Sequence, residues 1–220
     1  MELNKFIDHT LLSASAKEAD ILKLCDEALK YNFHSVCVNS NYVALAKQAL
    51  SRSSVKVCAV IGFPLGAMST EAKIFEAKNA INQGASEIDM VMNIGRLKSH
   101  NYVAVLKDIS KVKTAIGLTT LKVILEISEL SKNEIVKACE ICMDANADFI
   151  KTSTGFSKSG ATLTAVKIMK KTVRGQLQIK ASGGISDAET ALKYIEVGVS
   201  RIGASASVAM MNDVLTNASY

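Results

Sequence analysis

The 220-residue chain has no tryptophan, one proline and three histidines, and its five cysteines are an odd number. Each scarcity excludes something. His9, His34 and His100 lie far apart with no H-x-x-x-H spacing, so a histidine-rich metal centre is not expected. An odd cysteine count without a secretory signal argues against a disulfide framework. Cys139 and Cys142 form a C-x-x-C pair, but they sit in a run of helical period (133–147), where positions i and i+3 share a face. No second pair completes a four-ligand site, and small buried hydrophobes are the plainer reading. No stretch of 18 residues is free of charge, so no membrane span is expected. The start, Met1-Glu2-Leu3-Asn4-Lys5, has an acid at position 2 and no apolar core behind it, so a cytoplasmic protein is expected. The formal net charge of +5 is spread along the chain without a run of five basic residues. Nucleic-acid binding is therefore not expected. A solvated lysine-rich surface and a mild attraction for a phosphorylated small molecule both fit that charge.

What the chain does have is apolar content, 49% of its residues, arranged as a repeated alternation. Short apolar runs at 6–7, 35–38, 56–61, 87–92, 121–127, 148–151, 177–180 and 201–202 read as strands. Between them, amphipathic runs at 19–29, 42–50, 71–82, 102–116, 132–145, 163–173 and 188–195 read as helices. About eight β/α units imply a parallel sheet that closes into a (β/α)8 TIM barrel. The expectation is one barrel domain over residues 1–220, with no linker or low-complexity segment. An open doubly wound sheet is the alternative, but the Gly-x-Gly-x-x-Gly turn that a dinucleotide site would need after the first strand is missing.

In such a barrel the chemistry collects at the C-terminal ends of the strands. Two strands end unusually, at Lys151 after Asp148-Phe149-Ile150 and at Lys180 after Leu177-Gln178-Ile179. Neighbouring strands lie about 4.8 Å apart, so both ammonium groups can meet in one pocket, where each disfavours the other's protonation. A lysine must be neutral to attack a carbonyl, and a fall in pKa from ~10.4 to ~7 is worth about 4.6 kcal/mol. The bland alternative is that both lysines reach solvent. Asp89 sits inside an apolar strand and needs a partner. Lys151 or Lys180 would serve, and a loop-tethering carboxylate is the alternative. Asp8 carries the same ambiguity. Small polar loops follow strands six to eight: Thr152-Ser153-Thr154-Gly155, Ala181-Ser182-Gly183-Gly184 and Gly203-Ala204-Ser205-Ala206-Ser207, the last opening a helix. Loops of this kind present backbone N–H groups to a phosphate.

These residues fall in motifs that resemble the deoxyribose-phosphate aldolase family of class I aldolases. The motifs are Ile7-Asp8-His9-Thr10-Leu11-Leu12, Ser35-Val36-Cys37-Val38-Asn39, Val60-Ile61-Gly62-Phe63-Pro64-Leu65-Gly66, Glu87-Ile88-Asp89-Met90-Val91 and Asn93-Ile94-Gly95. They continue with Phe149-Ile150-Lys151-Thr152-Ser153-Thr154-Gly155-Phe156, Ile179-Lys180-Ala181-Ser182-Gly183-Gly184-Ile185 and Arg201-Ile202-Gly203-Ala204-Ser205. The resemblance implies that Lys151 forms a Schiff base, that Lys180 depresses its pKa and exchanges protons, and that Asp89 is a proton donor and acceptor acting with a water. It implies phosphate binding by Gly155, Gly183, Gly184, Gly203 and Ser205. It also implies that no metal or organic cofactor is used and that the protein is a homo-oligomer, commonly a dimer. Asp8, Cys37 and Tyr220 are possible accessory residues, Cys37 as a target for reactive aldehydes. Two departures from the family pattern, Ser186 and Ala206, thin the phosphate cradle. A related Schiff-base aldolase or transaldolase, and a non-catalytic phosphosugar sensor, are the rival readings.

Overall fold

Strands that alternate with helices can pair only in parallel, and eight of them leave no edge to cover. In the computed structural model, which describes residues 2–217, that closure is complete. The strands are β1 (Ile7–Leu11), β2 (Ser35–Asn39), β3 (Lys56–Ile61), β4 (Glu87–Val91), β5 (Thr120–Ile124), β6 (Phe149–Lys151), β7 (Gln178–Ser182) and β8 (Arg201–Ala204). They follow one another in chain order, and β8 pairs back onto β1. The open sheet is thereby excluded.

The described helices are α1 (Glu18–Tyr31), α2 (Val43–Ala49), α3 (Thr70–Asn82), α4 (Ile94–Lys98), α5 (Tyr102–Ile116), α6 (Lys132–Asp144), α7 (Leu163–Val173), α8 (Ala188–Glu196) and α9 (Ser207–Asn217). Several start where a side chain can accept a free N–H of the first turn. Ser69, Asn101, Ser131, Thr162 and Asp187 each do so, and Ser131 with Glu134 forms a reciprocal capping box. The main core lies between barrel wall and helices, with Ile88, Val105, Ile109, Leu121, Val166, Met169 and Ile202 among its buried members. All five cysteines are buried and free, including Cys139 and Cys142 on α6. Among the described residues no helix is long and apolar enough to cross a membrane.

Element boundaries differ from the sequence reading where local chemistry decides them. β1 extends to Leu11 because its ladder with β2 continues to Leu11 opposite Val38, while β8 pairs with it as far as His9. β6 starts at Phe149, one residue later than expected, although the Asp148 backbone already reaches both neighbouring strands, donating to Leu121 O at 3.0 Å and accepting from Gln178 N at 3.1 Å. β5 stops at Ile124, short of the expected 127, because Glu126 adopts a left-handed conformation at φ 56°. Helix α4 was not expected from the pattern; Asn93 starts it by accepting from Arg96 N at 3.0 Å.

The loop after β3 is seated on the end of β4. At Gly66, φ is +66° and a Cβ would lie 2.1 Å from the Met92 carbonyl oxygen. Only glycine fits such a contact in that conformation. Gly66→Ala is therefore expected to lower stability by about 2 kcal/mol or more. Urea unfolding measures this, and an unchanged midpoint would contradict the seating.

Candidate active site

The period-2 alternation of strands points every second side chain inward. In most barrels those positions are apolar. Here seven are charged and buried: Asp8, Glu87, Asp89, Lys122, Lys151, Lys180 and Arg201. Strand register brings them together, with Lys151 beside Lys180 and Asp89 beside Lys122.

Asp89 is the hub. Its Oδ2 lies 2.8 Å from both Lys151 Nζ and Lys180 Nζ, and its Oδ1 lies 2.8 Å from Lys122 Nζ. Cys58 Sγ donates to Oδ1 at 3.1 Å. Lys180 also reaches Asp8 Oδ2 at 2.5 Å. Asp8 Oδ1 accepts from Arg201 Nη1 at 2.6 Å and from Ser35 Oγ at 2.7 Å. Glu87 closes the lower side, 2.6 Å from Lys122 and 3.0 Å from Arg201. Both expected partners of Asp89 are present, and it tethers no loop.

Burial opposes every charge in this set, and the neighbouring charges decide the outcome. Burial would raise Asp89, but Lys122, Lys151 and Lys180 hold it well below the usual carboxylate range. Asp8 is pulled down to about 2, against burial, by Lys180 and Arg201. Burial would lower Lys180 and Lys122, yet the surrounding carboxylates push both above the ordinary lysine value. Lys180 and Lys122 are thus held as ammonium ions. Gly203 makes room for one of them, since a Cβ there would lie 3.0 Å from Lys180 Cε.

Lys151 differs from the rest by position. It is the member of the charged set that lines a cavity of about 520 Å³ at the mouth of the barrel. The same cavity is lined by Gly155, Gly183, Gly184, Gly203 and Ser205, all five expected phosphate contacts, and by Ser186 and Ala206. Gly155, Gly183 and Gly184 have positive φ values of 87°, 88° and 73°. Asp8, Asp89 and Lys180 sit beneath the cavity floor rather than on it. Cys37 is fully buried under the same floor, next to Cys58. Tyr220 lies outside the described residues.

Lys122, Glu87 and Arg201 were not singled out from sequence. The signal that marked Asp89, a charge between apolar neighbours inside a strand, also marks Lys122 between Leu121 and Val123. Among the described residues, Cys37, Cys58 and Asp89 are the one group bringing three metal-ligand atoms within 4.8 Å. Lys122 Nζ already stands 2.8 Å from Asp89 Oδ1 and 3.3 Å from Cys58 Sγ, so an ammonium fills the position a cation would need.

A family model for DeoC/LacD family aldolases matches residues 3–214. The chain belongs to this aldolase family. A deoxyribose-phosphate aldolase of Finegoldia magna is 58% identical over 208 residues, covering 94% of this chain and 98% of that one. The enzyme of the same name from Mycoplasmopsis pulmonis is 55% identical over 213 residues, 97% of each chain. Among solved structures, the aldolase QR15 superposes with a TM-score of 0.94 at 40% identity, covering 97% of this chain and 96% of that one. The deoxyribose phosphate aldolase of Aeropyrum pernix, described as a tetramer, gives 0.88 at 31% identity, with 96% and 90% covered. Family membership and the barrel interior thus agree on an aldolase.

The depressed Asp8 pKa has a consequence for stability. Its ionised form stabilises the fold fully above the unfolded-state value of ~3.9 and is lost as pH falls through about 2. Asp89 acts in the same sense. The urea midpoint is expected to fall between pH 4 and pH 2, less steeply in Asp8→Asn. Identical pH profiles for the two proteins would contradict this.

Proposed function

We propose that this chain is a class I aldolase that reversibly cleaves 2-deoxy-D-ribose 5-phosphate into acetaldehyde and D-glyceraldehyde 3-phosphate, with Lys151 as the Schiff-base residue. The observation that carries the reading is Lys151 at the cavity wall, on one carboxylate oxygen shared with Lys180. The buried set holds four basic and three acidic groups, Lys122, Lys151, Lys180 and Arg201 against Asp8, Glu87 and Asp89. Lys151 is the member of that set whose amine faces the cavity, and a neutral amine there is the nucleophile.

The neutral amine attacks the C1 aldehyde of the open-chain sugar, and loss of water gives an iminium. Asp89, acting through a water at the cavity floor, takes the C3 hydroxyl proton. The C2–C3 bond breaks, D-glyceraldehyde 3-phosphate departs, and the electron pair settles as an enamine on Lys151. Protonation at C2 restores the iminium, and hydrolysis frees acetaldehyde and the lysine. Covalent catalysis divides one difficult step into easier ones. The backbone N–H groups of Gly155, Gly183, Gly184, Gly203 and Ser205 hold the phosphate, in loops where barrels commonly bind it. Ser186 and Ala206 add no positive charge there.

A place in deoxyribonucleoside breakdown, one aldolase domain over residues 1–220, a cytoplasmic location and a homodimer complete the reading. The chemistry needs no metal or organic cofactor. The sensor reading is disfavoured because a pure binder has no use for a buried lysine pair on one carboxylate.

Borohydride added with substrate is expected to fix an adduct on Lys151, found by peptide mass mapping. An adduct on another residue, with Lys151 unmodified, would sink the assignment. Asp89→Asn is expected to lower kcat by about 10²-fold or more while trapping on Lys151 persists. Retention of wild-type kcat would remove Asp89 from proton transfer.

A further inference from the structure

The mechanism makes no use of Glu126, yet this residue is held in an unfavourable state. It has a left-handed backbone at φ 56° and ψ 65°, which a non-glycine residue seldom adopts. Its carboxyl is buried, and burial pushes its pKa above the usual glutamate range. Such strain persists where the surroundings enforce it, and it clusters at functional sites.

The surroundings here are the turn that follows Lys151. Leu125 N donates to Lys151 O at 2.9 Å and Ile127 N to Thr152 O at 3.0 Å. These bonds fasten the chain on both sides of Glu126 to the exit of β6. The left-handed residue between them turns its carboxyl onto Thr154. Glu126 Oε2 accepts from Thr154 N at 3.3 Å and also from the Thr154 hydroxyl. Thr154 Oγ1 in turn accepts from Phe156 N at 3.0 Å. The hydroxyl's one proton goes to Glu126, so it has none to donate to a substrate. Its role is to fix the turn. That turn carries Thr154, Gly155 and Phe156 into the cavity wall beside Lys151. It also abuts the glycine loop after β7, since a Cβ at Gly183 would lie 3.6 Å from Gly155 Cα and 3.5 Å from Ser153 Cβ.

We propose that Glu126, acting through Thr154, is the positioning residue that sets the Gly155 and Gly183 backbone for the substrate's phosphate. It thereby determines the preference for phosphorylated over unphosphorylated sugar. The inference rests on the phosphosugar reading above. It places specificity in a buried carboxyl that never touches the ligand, in a chain whose phosphate loops carry Ser186 and Ala206.

The test compares kcat/KM for 2-deoxyribose 5-phosphate with that for 2-deoxyribose in wild type, Glu126→Ala, Glu126→Gln, Thr154→Val and Thr154→Ser. The ratio of the two constants is expected to fall by about tenfold or more in Glu126→Ala and Thr154→Val, the size of one charge-assisted hydrogen bond. Thr154→Ser and Glu126→Gln, which keep donor and acceptor, should restore most of it. The double variant Glu126→Ala/Thr154→Val should lose no more than either single change. An unchanged ratio, equal losses on both sugars, or a Thr154→Ser as poor as Thr154→Val would overturn the proposal. Borohydride trapping with 2-deoxyribose 5-phosphate separates the two levels. An adduct on Lys151 with an unaltered ratio overturns only the role of Glu126. No adduct on Lys151 in wild type removes the Schiff-base reading and this one with it.

Discussion

The carboxylate of Asp89 holds three lysines at 2.8 Å in the interior of a closed barrel, and the rest of the site depends on that contact. A charge so placed has no water to stabilise it, so it survives only if fully bonded. Asp89 is fully bonded: each oxygen takes a lysine, Oδ2 takes two, and Oδ1 also takes the Cys58 thiol. The lower layer of Asp8, Glu87 and Arg201 then fixes Lys180 and Lys122 in turn. Lys151 alone of the charged set has one side on the cavity. The barrel supplies a rigid floor, and Lys151 is the basic group of the set that protrudes through it.

Much of the fold was legible because hydrophobic periodicity is a local signal. Eight apolar runs separated by amphipathic ones leave few arrangements other than a closed parallel barrel, and closure between β8 and β1 follows. Boundaries were less legible. Asp148 reads as strand, and its backbone does bond to Leu121 and Gln178, yet β6 proper begins one residue later. Residues 125–127 read as more of β5, while the left-handed Glu126 breaks the pleat. Neither fact has a residue-type signature.

The site divides in the same way. Lys151 and Lys180 stand out because each ends an apolar run, and the strand register does set them side by side. Asp89 stands out as a carboxylate inside a strand. Lys122 obeys the same rule between Leu121 and Val123 but sits near the start of its run, where a charge usually marks an exposed strand end. Arg201 opens β8 and reads the same way. Their burial is set by the barrel's tilt and closure, which no window of sequence contains. The five expected phosphate contacts do line one cavity, because loops after adjacent strands of a barrel must converge.

The central claim is that this interior delivers the Lys151 amine, and no other, to a substrate whose phosphate is held by the glycine loops. A crystal structure of the protein soaked with 2-deoxyribose 5-phosphate tests it most directly. Continuous density is expected from Lys151 Nζ to the sugar's C1, with the phosphate against Gly155, Gly183, Gly184, Gly203 and Ser205. Density joined to a different lysine, or a phosphate seated away from those loops, would contradict it.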